Sequence, residues 1–454
     1  MPDAERPPLD RLNLQDEMYL RIEERGAPMH VAGLIFLDAD PLIDASGDVR
    51  LDAIRTHIEG RLSPRLRQVL QRTGLGEGPR VWVDDPAFDI AAHVRARSVP
   101  APGDEASLLG VVEELNEPPL PRARPLWELW MLSGLSGGRL AMLIRLHHVV
   151  ADGIAALALL GSWFDFVADP ATPQLPERDL VPAPSRQELL EDNRRRIARH
   201  IASGSSSLFH PTRWVPEAAL TARTAVTALA GGLAPRTSLN RPVGQRRRLL
   251  LARADLGRVK AVAHAHGAKV NDVALTAIAG GARVLLERRG EPTDVELRAM
   301  VPVSQRPSDN IASGGNVVAV IVVPLPVGER DATRRLERIA RDTAERKKRP
   351  VRQWDQFPTA ITALMNHQRF VNVFTSNMPG PTVPWYFAGA RVREMFQIGA
   401  IQGNVTLNVG VLSYAGVLGI DVVGDTDAVP DLEVFAAGLD GTFEELGVHR
   451  QRAP

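Results

Sequence analysis

The chain has 454 residues, room for two large domains or three of ordinary size, and its 44% hydrophobic and 24% charged residues mark a folded globular protein rather than a disordered or collagen-like one. Lys plus Arg and Asp plus Glu balance at 54 each, which points to no nucleic-acid partner, and the lack of cysteine excludes disulfides, thiolate metal sites, iron–sulfur clusters and a cysteine nucleophile. The opening MPDAERPPLDRL lacks the basic start and apolar core of a signal peptide, and no stretch approaches the ~18 apolar residues of a membrane span, so a cytoplasmic protein is expected, touching a membrane at most from one side.

In chain order, apolar runs and alternations predict a strand at His30–Leu37, a helix at Leu51–Leu62, strands at Trp127–Leu132 and Leu140–His148, and a helix at Ile154–Val167. Five prolines in Asp169–Ser185 predict a linker, followed by a small-residue-rich stretch at Ile197–Leu239 that contains a helical pattern at Pro216–Leu233. The second half reads as strand Arg247–Ala254, helices Leu256–His266 and Asp272–Arg289, strands Glu296–Val303 and Asn316–Leu325, and helix Ala332–Lys348. Strands Phe370–Ser376, Val392–Ile398, Asn404–Tyr414 and Val417–Val423 then precede a helix at Leu432–Leu446. Strands and helices mix in both halves, which argues for α/β layers. Domains are expected at 1–185 and 246–454, with a helical crossover at 186–245.

Neutrality conceals a segmental pattern. Lys/Arg minus Asp/Glu is -10 over residues 1–180, +14 over 181–360 and -4 over 361–454, closing to the zero of the whole chain. Basic clusters stand at Arg194, Arg195, Arg196 and Arg199; at Arg241, Arg246, Arg247 and Arg248; and at Arg346, Lys347, Lys348, Arg349 and Arg352. Each alone reads as a solvated face; three in one region favour an anionic ligand or surface.

The richest segment is Leu140–Leu160, LAMLIRLHHVVADGIAALALL. A buried strand ends in His147 and His148, and Asp152 and Gly153 open an apolar helix. Side chains alternate along a strand, so the two histidines face opposite ways and a zinc site using both is not expected. A histidine at a strand end beside a helix N-terminus suits general acid–base work near neutral pH. Asp152 reads as the helix N-cap or as the ion-pair partner of a distant arginine, holding the loop in either case. Gly134-Leu135-Ser136-Gly137-Gly138 fits the G-x-S-x-G string of serine hydrolases, but a strand follows it rather than a helix, so a hairpin turn is expected. Gly231-Gly232 and Gly280-Gly281 lack the spacing and lysine of a phosphate loop. Thr224–Leu233 is too short to span a bilayer and reads as helix packing or membrane-surface contact.

The string His147-His148-Val149-Val150-Ala151-Asp152-Gly153 matches HHxxxDG, the signature of the CoA-dependent acyltransferase superfamily. Further segments resemble the bacterial wax ester synthase/diacylglycerol acyltransferase family. They are Leu9-Asp10 with Pro28–Leu34, Trp82-Val83, Phe88-Asp89 and His93–Arg95, followed by Arg124–Glu128 with its PLW motif, Asn271-Asp272-Val273 and Val301–Arg306. Ser376–Pro381, Leu412–Tyr414 and Gly424-Asp425 complete the series. Pro121 stands where the family more often has Asp.

The resemblance implies an α/β fold of two chloramphenicol-acetyltransferase-like domains, each a mixed sheet with flanking helices, joined by a crossover with an active-site tunnel between them. It implies His148 as general base, Asp152 and Gly153 shaping the turn beside His147, Arg306 as the partner of Asp152, and Asn271 as a substrate-positioning or oxyanion residue. No metal or cofactor is implied. Acyl-CoA is a substrate, a diacylglycerol or long-chain alcohol the acceptor, and an anionic membrane or lipid-droplet surface a partner. Transfer from a carrier-protein thioester to a polyketide or amine, or a non-catalytic lipid-binding scaffold, are the alternatives.

Overall fold

A computed structural model of the chain describes residues 8–24, 26, 28–151, 153–169, 180–202, 232–304, 318–348 and 367–449. In chain order its strands are β1 His30–Asp38, β2 Gln68–Gln71, β3 Val81–Asp84, β4 Val94–Ser98, β5 Trp127–Leu135, β6 Arg139–His147 and β7 Arg247–Asp255. They continue with β8 Glu296–Ser304, β9 Val318–Pro326, β10 Val373–Pro379, β11 Tyr386–Phe387, β12 Ala390–Ile398, β13 Leu407–Tyr414 and β14 Val417–Asp425. Every strand expected from the sequence recurs, with bounds moved by no more than three residues. Helices recur at Leu51–Glu59, Gly153–Gly161, Leu256–Ala265, Val270–Arg288, Ala332–Lys348 and Leu432–Glu445. The one at Gly153 stops earlier than its apolar run, because Trp163 turns inward, wholly buried, and its carbonyl accepts from His57 Nε2 at 2.7 Å. Most of the pattern at 216–233 and part of the expected linker lie outside the described residues.

Two six-stranded sheets carry the fold, in the orders β11-β12-β1-β6-β5-β4 and β7-β14-β13-β10-β8-β9, and β2 and β3 form a separate ribbon. β6 pairs with β1 on one side and β5 on the other, both antiparallel. Its apolar run, broken between Leu140 and Leu146 only by Arg145, follows from burial on both faces. Met142, Ile144 and Leu146 enter a core with Ile54, Trp127 and Trp163. The opposite face, through Ala141 and Leu143, joins Leu34, Leu108 and Val112 to Leu249 and Leu251 of β7. This second cluster is the seam between the sheets. The far side of the second sheet is covered by Val270–Arg288, Ala332–Lys348 and Leu432–Glu445. Gly280 and Gly281 permit that cover: a Cβ on Gly281 would lie 2.6 Å from the Phe435 carbonyl oxygen.

Gly134–Gly138 forms the β5–β6 hairpin turn, as its context requires. The β11–β12 hairpin lies within residues 246–454 in sequence, yet β12 pairs antiparallel with β1 in the first sheet. The two sheets therefore do not divide the chain at a single point.

Candidate active site

β6 delivers the histidine pair to the edge of the seam. His147 is its last ladder residue, paired in register with His30 of β1. Beyond it the chain turns, with Val150 N–H donating to the His147 carbonyl at 2.9 Å, but both neighbouring strands still hold it. His147 N–H donates to Leu126 O at 3.0 Å and His148 N–H to Met29 O at 2.9 Å. The two differ in exposure: His147 is completely buried, whereas His148 is half-buried.

His147 Nδ1 accepts from Val149 N–H at 3.1 Å, which assigns the ring proton to Nε2. Nε2 faces Glu23 Oε1 at 3.4 Å, an electrostatic pairing longer than a good hydrogen bond. Glu23 belongs to the helix Leu14–Glu23 and has only 5% of its side chain exposed. Burial pushes its carboxyl up, but His147, Arg122 and the Met29 N–H outweigh this and hold it at about 2. Arg122 reaches Glu23 Oε2 at 2.7 Å, and Met29 N–H donates to Oε1 at 3.3 Å. The ring of His148 stacks on Tyr19 of the same helix, with centroids 4.8 Å apart at 28°.

A second ionic group lies behind the histidines. Arg145 of β6 donates to Glu128 of β5 at 3.0 Å, with both side chains nearly buried. Arg95 meets the same carboxylate at 2.7 Å, and Arg124 also pairs with it. Burial opposes ionisation of Glu128, yet the Arg95 and Arg145 guanidinium groups carry its carboxyl below the usual range. Burial, reinforced by Arg145, pushes His30 down to about 3, so it is neutral at physiological pH, and its Nε2 lies 2.9 Å from the Asn116 carbonyl oxygen.

Asn271 is the second residue of the helix Val270–Arg288, whose first turn is closed by Asp272 Oδ2 accepting from Lys269 N–H at 2.8 Å. Its Oδ1 accepts from Asn377 Nδ2 of β10 at 3.0 Å. Met378, the next residue on β10, packs against the apolar cluster that also takes in Val150 and Ala151. Gly153 opens its helix; Asp152 and Arg306 lie outside the described residues. Of the basic clusters, Arg246, Arg247 and Arg248 are engaged by Asp427, Asp425 and Glu433, whereas Arg194, Arg195 and Arg199 are exposed on the helix Arg186–Ala202. A cavity of about 640 Å³ lined by Arg236, Arg241, Arg289, Asp427 and Asp431 contains none of the predicted site residues.

With this geometry in place, two family profiles match the chain. The wax ester synthase/diacylglycerol acyltransferase catalytic domain covers residues 12–274, and the WS/DGAT C-terminal domain covers residues 314–447. The chain belongs to the wax ester synthase/diacylglycerol acyltransferase family. It is an acyltransferase. A putative diacylglycerol O-acyltransferase of Mycobacterium tuberculosis is 31% identical over 458 residues, with 96% of each chain covered. A probable diacylglycerol O-acyltransferase of the same species is 32% identical over 429 residues, covering 87% of this chain and 88% of the relative. Among solved structures, the wax ester synthase/diacylglycerol acyltransferase from Marinobacter aquaeolei VT8 superposes with a TM-score of 0.69 at 24% identity, covering 96% and 98% of the two chains. The first condensation domain of the calcium-dependent antibiotic synthetase shares the fold at a TM-score of 0.58 and 18% identity, covering 99% and 98%.

Around the family's histidine pair, sequence reading missed Tyr19, Glu23, Arg122 and Asn377. The first two ride on a helix whose apolar pattern is too sparse to predict. The available signal was the spacing: Tyr19 and Glu23 are four apart and share one face of any helix there.

Proposed function

We propose that the protein transfers the acyl group of acyl-CoA to the hydroxyl of a diacylglycerol or a long-chain alcohol, with His148 as general base. The observation that carries this is the different setting of the two histidines: His147 is completely buried at the end of β6 and faces Glu23, whereas His148, the next residue, is half-buried. The acceptor O–H gives its proton to the His148 imidazole as its oxygen bonds to the thioester carbonyl carbon. The tetrahedral oxyanion collapses, the C–S bond breaks, and the imidazolium protonates the CoA thiolate. General-base assistance supplies ~10²–10⁴-fold; the rest falls to donors aimed at the oxyanion. Asn271 suits that role, because Asn377 occupies its Oδ1 and leaves the Nδ2 hydrogens to offer. Asp152, with Arg306, is assigned to holding the turn.

The test is CoA release from palmitoyl-CoA with a diacylglycerol or hexadecanol, for the wild type and His148→Ala. Turnover with either acceptor and its loss in His148→Ala are expected. No turnover with both, or full activity in His148→Ala, overturns the proposal; transfer from an acyl carrier protein but not from CoA replaces it with the carrier-dependent reading.

Lipid acceptors require contact with a lipid phase. We propose peripheral association with an anionic membrane or lipid-droplet surface, supported by the exposed Arg194, Arg195 and Arg199 beside the exposed Ile197. Among the described residues no helix is long and apolar enough to cross a membrane. Flotation with anionic liposomes should weaken as salt rises; salt-insensitive flotation, or none, refutes the electrostatic component.

A further inference from the structure

The geometry points to the helix Leu14–Glu23 as a clamp on both histidines, with Glu23 and Tyr19 as positioning residues for His148; this rests on the general-base role proposed above. Two side chains four residues apart face the same way on a helix, and here they divide the pair: Glu23 addresses His147 and Tyr19 addresses His148.

Glu23 holds His148 from both flanks without touching it. On one flank its Oε1 accepts from Met29 N–H, and the Met29 carbonyl accepts from His148 N–H. On the other the same oxygen faces His147 Nε2, while His147 Nδ1 accepts from Val149 N–H. The residues before and after His148 are therefore tied to one buried carboxylate. That carboxylate stays ionised at physiological pH, so it accepts from Met29 N–H and Arg122 while it attracts the His147 Nε2–H. Tyr19 then limits the swing of the imidazole by covering one of its faces.

The helix is itself fixed at both ends. At its start Asn13 Oδ1 accepts from Asp16 N–H at 2.8 Å. At its end Arg122 donates to the Leu20 carbonyl at 3.1 Å and to Glu23, which ties it to the segment entering β5. Leu126 of that segment receives His147 N–H. Helix, β1 and β5 thus close a ring around the motif, and displacing a reacting group by ~1 Å costs on the order of 100-fold in rate.

Glu23→Gln keeps the shape and removes the charge. With palmitoyl-CoA and saturating acceptor, kcat is expected to fall by roughly 10- to 100-fold while KM for palmitoyl-CoA stays within about twofold. Tyr19→Leu is expected to lose kcat in the same way, and Tyr19→Phe, which restores the ring, to recover most of it. The clamp is overturned if folded Glu23→Gln keeps its kcat, if the loss lies in KM alone, or if the Leu and Phe variants of Tyr19 behave alike. Should thermal melting show Glu23→Gln unfolded, the Tyr19 pair decides by itself. His148→Ala run in parallel separates the two ideas: if it is inactive while Glu23→Gln and Tyr19→Leu are normal, only the clamp fails, whereas full activity in His148→Ala removes the base it serves.

Discussion

Replacing Arg253 by Met will destabilise the protein by about 3–5 kcal/mol, the cost of leaving a buried charge without its partner. Arg253 of β7 crosses the seam to Glu394 of β12, with Nε 2.6 Å from Oε1 and Nη2 3.0 Å from Oε2. Their side chains are 4% and 3% exposed, so water cannot take over the guanidinium's role. Glu105, the third member of the group, is 32% exposed and adds much less when left alone. Loss of the cation–π contact with Phe396, whose centroid lies 5.0 Å from the guanidinium carbon, adds ~1 kcal/mol, against which the Met side chain regains some packing. Equilibrium unfolding in guanidinium chloride, followed by tryptophan fluorescence at neutral pH, gives the midpoint and slope needed. The double variant Arg253→Met/Glu394→Leu removes both charges and should recover at least half of the loss, because apolar replacement of a buried pair is often neutral or stabilising. A single variant within ~0.5 kcal/mol of wild type, or a double variant less stable than the single, refutes the reasoning.

Close approach of two helices makes Gly281→Ala destabilising by about 1–3 kcal/mol, although Ala ordinarily strengthens a helix; a raised melting temperature would contradict the 2.6 Å approach to Phe435 O. Gly280→Ala should be relieved by Thr442→Ala, since its Cβ meets Thr442 Oγ1 at 1.8 Å and that oxygen belongs to a side chain. Burial pushes His30 down to about 3 and His93 down to about 4, so both remain neutral in the fold while the unfolded chain takes up protons below the ordinary value of 6.5. Stability should therefore fall as pH drops from ~6.5 towards ~4, by up to ~1.4 kcal/mol per pH unit for each histidine. His93→Gln removes one of those protons, and an unchanged slope in its urea midpoints across that range would count against the assignment.

Much of the fold was legible because the central strands carry their own evidence. β6 is buried on both faces and reads as an apolar run broken only by Arg145; β13 and β14 are likewise buried on both faces. β4 escaped notice because it is a five-residue edge strand with two arginines in its Val94-Arg95-Ala96-Arg97 sequence. The helix Glu105–Asn116 escaped as well, because Gly110 interrupts its short apolar stretch and Glu113 and Glu114 end it. At the site, strand geometry led to opposite facing of His147 and His148 as an expectation, and the structure gives the two different burial, complete for His147 and partial for His148. Glu23 did not follow, because its meaning depends on a helix entering from more than a hundred residues upstream. Pairing of β12 with β1 was equally hidden: side-chain pattern specifies which face of a strand is buried, not which sheet receives it.

That pairing bears on how the protein is made. β1, β5 and β6 are all synthesised by residue 147, but the strand that covers the other side of β1 begins at residue 390. At ~5–20 residues per second the ribosome takes on the order of 10–50 s to cross that interval. Throughout it, β1 presents along its nine residues an open edge, with the amides and carbonyls of alternate residues unpaired, of the kind that recruits strands from other chains. A first half released on its own would keep that edge open permanently. Cutting the chain at the crossover should thus yield a fragment that aggregates, and supplying residues 380–400 as a separate strand is the natural way to rescue it.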